Sequence, residues 1–170
     1  IIIGSLTTWT IKSALALLWF WSVYPLEWLP VGGPVTQMVL IFIWWFTAAL
    51  WLGFGGLLFG LGCKTLQRYI VDDRFYLLLP LLWLAAELFG SLVFSIITIG
   101  PGGTITTAFS FGYVGYLLAE HELLITVARL AGVYSLGLLA VLLAVGSLWV
   151  ILHQPKFRRY LLIGVLLLLA

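Results

Sequence analysis

The chain has 170 residues, of which 64% are hydrophobic and only 8% are charged, with a formal net charge of +2. A soluble domain carries about 25% charged residues, so this chain cannot dress a water-facing surface and reads as an integral membrane protein. The weak positive balance is too small to suggest a nucleic-acid partner, and a single cysteine, Cys63, excludes an internal disulfide.

The first apolar region covers residues 1 to 30, with Lys12 as its one basic residue. Lys12 can snorkel from near one end of a span. The region ends in an aromatic cluster with Glu27 and Pro30, which suits the headgroup level. Gly32, Gly33 and Pro34 then signal a turn. The second span is expected from Val35 to Cys63. Its later half reads WLGFGGLLFGLG, and Gly56 and Gly60 have the spacing that lets two helices approach closely. Packing is the plain reading of these glycines, and a groove for a lipid tail or substrate is the other.

Residues 64 to 74, KTLQRYIVDDR, read as a short polar connection with three basic and two acidic residues. The third span is expected from Phe75 to Ile99, ended by Gly-Pro-Gly-Gly. The segment from 104 to about 122 is mixed in character, and a further full span there is not expected. The fourth span begins near Val127 or Leu130 and ends at Leu152. A basic loop, 153 to 159, follows, and a fifth span begins at Tyr160. The fold class expected is all-α, a polytopic transmembrane bundle of about five spans. The last is cut short, and residues 1–170 form a partial transmembrane domain. The apolar runs at both ends read as a fragment of a longer protein.

Basic residues in short loops favour the cytoplasm. That rule puts 64 to 74 and 153 to 159 inside, and 24 to 34 and 100 to 128 outside. The fifth span would then run outward, with its continuation on the outer face.

Glu87 is the one formal charge between Phe75 and Phe94. A charge at mid-membrane is costly and faces protein or a water-filled cavity. Two main readings stay open: a carboxylate lining a lipid or substrate cavity, or an internal tie to Lys12, a tyrosine or a backbone group. Contact with a lipid headgroup is the third. Trp83 lies one turn earlier on the same face, and Ala86 and Gly90 form a small-xxx-small pair. His121 sits between Glu120 and Glu122, but adjacent helical residues diverge, and no metal site or cofactor is expected. Cys63 reads as a buried or interfacial structural thiol.

The order of these features resembles bacterial apolipoprotein N-acyltransferases. Pro80, Trp83, Glu87 and Gly90 match a stretch in which a proline and tryptophan precede a glutamate, although Phe89 stands where the family usually has arginine. Gly112 and Tyr113 match a glycine-tyrosine pair, without the preceding proline and tryptophan. Gly132, Val133, Tyr134 and Leu136 match a helix start that follows.

The resemblance implies an acyl transfer from phospholipid to the amino-terminal cysteine of a lipoprotein, in the bacterial inner membrane. It implies a nitrilase-like domain after residue 170, on the outer side, carrying a Glu-Lys-Cys triad that works through a thioester. No residue of this chain is assigned to that triad. Phospholipid, lipidated protein and the bilayer are the partners implied. Trp83, Glu87, Gly112, Tyr113, Gly132 and Tyr134 are the candidates for a substrate or lipid groove. The rival readings are a transporter or channel module and a structural membrane subunit without catalysis.

Overall fold

The computed structural model describes residues 1–28, 30, 32–70, 73–107, 109, 111–118 and 122–153. The Glu120–His121 pair, the basic residues of 154–159 and the expected fifth span lie outside these. Every regular element among the described residues is helical: α1 (Ile2–Ala16), α2 (Pro34–Tyr69), α3 (Arg74–Thr98) and α4 (Glu122–His153), with 3-10 turns at Leu18–Val23 and Val114–Leu118. Four segments, Ile2–Val23, Pro34–Tyr69, Arg74–Thr98 and Gly132–His153, are each long and apolar enough to cross a membrane. The chain is an all-α membrane protein.

Element limits differ from the sequence reading in three places. The first span stops at Val23, where the chain turns extended at Tyr24. The second helix runs through Tyr69, so most of the expected polar connection is helical. Lys64, Gln67 and Arg68 are good helix formers, and a cation suits a helix C-terminus. Hydropathy marks where the membrane ends and says little about where the helix does. The fourth helix starts at Glu122 and breaks at Gly132, whose φ of 74° and ψ of 174° lie in a region open essentially only to glycine.

The described chain forms two compact units. The first comprises Ile1–Leu66 and Ala85–Tyr113. Its apolar centre is Leu17, Ala48, Ala49, Leu52 and Phe94, flanked by Trp45, Trp51 and Phe109. Glycines bring its helices close. A Cβ on Gly56 would meet the Ser5 carbonyl and sit 2.6 Å from the Trp9 Cβ. One on Gly60 would lie 2.9 Å from the Ile2 Cα. These two glycines therefore seat α1 on α2. Gly55 faces the Ala86 carbonyl and Gly90 faces that of Leu52, which seats α2 on α3. Close backbone approach of this kind supplies packing where lipid removes any hydrophobic drive between helices. The Trp45 indole also donates to the Ala14 carbonyl at 2.9 Å.

The second unit comprises Gln67–Leu84 and the described residues from Val114 on. Gly115 lies against the Val133 carbonyl and 2.9 Å from the Gly137 nitrogen, measured from the Cβ it lacks. Leu136 is fully buried. Pro80 sits inside α3 and is buried. It has no amide to give the Tyr76 carbonyl, a loss that membrane helices tolerate when packed against protein.

Candidate functional site

Two charges within the apolar helices of the first unit, Lys12 and Glu87, meet. Lys12, on α1, donates from Nζ to Glu87 Oε1, on α3, at 3.1 Å. The Glu87 side chain is 1% exposed and that of Lys12 is 24% exposed. The ammonium also lies 4.9 Å from the centre of the Trp9 ring, a cation–π contact that gains from the absence of water. The internal tie to Lys12, one of the readings open for Glu87, is present in the geometry.

Helix periodicity explains the neighbours. Glu87, Ser91 and Ser95 recur every fourth residue on α3, and all three are buried. Ser95 Oγ accepts the Thr106 amide at 2.8 Å, which draws the loop after α3 back onto its own helix. Ser91 Oγ has no hydrogen-bond partner among the described residues. Ser13 follows Trp9 on the facing side of α1, and both are buried. The loop adds Phe111 and Tyr113. Phe111 packs against Phe94 at 6.0 Å and Phe109 at 6.1 Å. The buried Tyr113 donates its hydroxyl to the Glu87 backbone carbonyl at 3.4 Å. Gly112 allows that approach. Its φ is +68°, and a Cβ there would sit 2.6 Å from the Ala16 Cβ.

Lys12, Glu87, Ser91 and Tyr113 enclose a cavity of about 10 Å³ with Trp9 and Leu52. That volume is about one water. It has no room for an acyl chain or a peptide. The carboxylate is thus built into the packing of its unit.

The six residues picked out by resemblance divide between the two units. Glu87, Gly112 and Tyr113 belong to the first, and Trp83, Gly132 and Tyr134 to the second. Trp83 is half-buried one turn before Glu87 on α3. Ser135 Oγ donates to the Gly132 carbonyl at 2.7 Å across the break in α4. The sequence reading missed Ser13, Ser91 and Phe111. The four-residue spacing of small polar residues with Glu87 is the signal that could have found Ser91. Phe111 had none, because its position depends on the path of an aperiodic loop.

Cys63 is buried in α2. Among the described residues no three His, Cys, Asp or Glu side chains converge as metal ligands would. Comparison with known proteins finds no matching family model, no matching curated protein and no matching solved structure.

Proposed function

We propose that the chain is the membrane domain of an acyltransferase related to the bacterial apolipoprotein N-acyltransferases, seated in the inner membrane. Its helices anchor a catalytic domain on the outer side and offer lipid substrates a lateral approach. The observation that carries the reading is the meeting of two separately recognised motifs. Glu87, from the Pro80–Gly90 stretch, and Tyr113, from the glycine-tyrosine pair, lie 26 residues apart and join at a hydrogen bond of 3.4 Å. In this reading Glu87 serves by holding α1 to α3. No catalytic residue is assigned to this chain.

The test is the reading frame beyond Ala170, followed by the activity of its product. The expected result is a nitrilase-like domain with an ordered Glu, Lys and Cys. Its full-length product would restore triacylated lipoproteins in a bacterium depleted of its own N-acyltransferase. A frame that adds only membrane spans, or an intact product that leaves lipoproteins diacylated, overturns the reading.

A further inference from the structure

Gly146 stands apart from the glycines that seat helices. Those at 53, 55, 56, 60, 90 and 115 would each push a Cβ into a neighbouring backbone or side chain, whereas a Cβ on Gly146 meets nothing within 4 Å. Glycine in a helix interior is destabilising relative to alanine, so its presence among leucines and valines calls for a reason other than helix contact.

The space beside it supplies one. A groove of about 470 Å³ runs along α3 and α4 within the second unit, walled by Leu77, Leu142, Val145 and Gly146. That volume lies within the ~300–1,000 Å³ common for ligand sites. One end is polar. Trp149 donates from Nε1 to Asp73 Oδ2 at 3.0 Å, and His153 Nε2 lies 3.4 Å from Asp73 Oδ1. Tyr76 packs edge-on against the His153 ring at 6.1 Å. Arg74 lines the same end, is exposed, and has no ion-pair partner among the described residues.

We propose that this groove is a site for a glycerophospholipid, one acyl chain lying along Gly146 and the phosphate on Arg74. Three features favour lipid as the occupant. The walls at Leu77, Leu142, Val145 and Gly146 are apolar and belong to helices long enough to cross a membrane, where acyl chains are the solvent. Trp149 and Tyr76 stand at the polar end, and Trp and Tyr favour the headgroup level. The guanidinium matches a phosphate in charge and in its paired donors, while a transmembrane helix of this composition would leave it unmatched. Asp73, beside it, is already engaged by Trp149 and His153. This site is independent of the acyltransferase reading and involves none of the residues around Glu87.

The experiment is native mass spectrometry of the full chain, released from detergent micelles. The micelles carry 1-palmitoyl-2-oleoyl-phosphatidylglycerol or, separately, the matched diacylglycerol. One retained phospholipid per chain is expected, with no retained diacylglycerol. Arg74→Gln should weaken retention about fivefold, the worth of one basic residue near a lipid phosphate. Arg129→Gln, a charge loss elsewhere on α4, should leave it unchanged. Gly146→Leu should abolish retention while the protein melts normally, since the new side chain enters open space. Retention indifferent to both Arg74→Gln and Gly146→Leu overturns the proposal. So does a Gly146→Leu protein that melts early with lipid binding intact, the result expected if a helix from the segment after Tyr160 or a second copy of the chain fills the groove.

Discussion

Replacing Lys12 should harm the protein more than replacing its partner. At 3.1 Å and an effective dielectric of about 20, the gross attraction between the two charges is about 5 kcal/mol. Burying the carboxylate costs several kcal/mol, so the pair is near neutral against an apolar pair of the same volume. Lys12→Met removes the attraction and leaves the buried carboxylate, at a cost of about 3–5 kcal/mol. Glu87→Gln leaves a cation in better surroundings. Its side chain is 24% exposed against 1% for Glu87, its flexible four-carbon stem lets the ammonium find other polar groups, and the Trp9 ring still faces it. The expected cost is about 1–2 kcal/mol. The double variant should lie within about 1 kcal/mol of the parent. Unfolding midpoints of the four proteins in dodecyl maltoside measure the cycle. Equal single costs would refute the asymmetry of burial. Additive costs would refute the pairing itself.

Two further outcomes follow from the helix contacts and the charge pattern. Gly56→Ala should destabilise by about 1–3 kcal/mol, because its Cβ collides with Ser5 and Trp9. Gly4→Ala, with nothing within 4 Å, should be neutral or stabilising by up to about 1 kcal/mol in the same assay. In a Cys63→Ala background, Thr104→Cys should react with an impermeant thiol reagent on intact spheroplasts. Gln67→Cys should react only after lysis. Labelling of both in one compartment would break the orientation read from Lys64, Arg68 and Arg74.

The membrane class and the four described helices are legible because apolar runs near 20 residues, separated by glycine and proline, have few other uses. The seating of α1 on Gly56 and Gly60 is legible for a similar reason, since glycines at that spacing on a leucine-rich helix leave a notch. Helix ends are less so: Lys64–Tyr69 is polar enough to leave the membrane and still helical enough to extend α2. The Lys12–Glu87 contact can be guessed because Lys12 is the one basic residue of the first apolar region, Glu87 is the one charge between Phe75 and Phe94, and each needs a partner. What surrounds it cannot. Phe111 and Tyr113 arrive through a loop with no periodicity, held in part by the Thr106 amide on Ser95 and the Tyr113 hydroxyl on the Glu87 carbonyl. Motif order also differs from proximity. Trp83, Gly132 and Tyr134 stand beside Glu87 and Tyr113 in a list of matched residues, yet they belong to another compact unit.

The ion pair answers a problem that composition creates. Most contacts that α1 makes with α2 and α3 are apolar or to small side chains, with Lys12 and Glu87 as the charged exception. Lipid tails are as apolar as leucine, so sliding α1 by one turn would exchange one set of apolar contacts for another at little cost. Two features break that degeneracy. The notches at Gly53, Gly56 and Gly60 accept Thr10, Trp9 and Ser5, and Ile2, at fixed heights. Lys12 finds Glu87 at only one of those heights, since a one-turn slip of about 5.4 Å would leave both charges unpaired in the hydrocarbon. A pair that adds little net stability can therefore select one register among several of similar energy, a role attested for buried polar groups in other helical assemblies. Glu87 joins the second half of α3 to the first helix of the chain, and the fold around it depends on that choice of height.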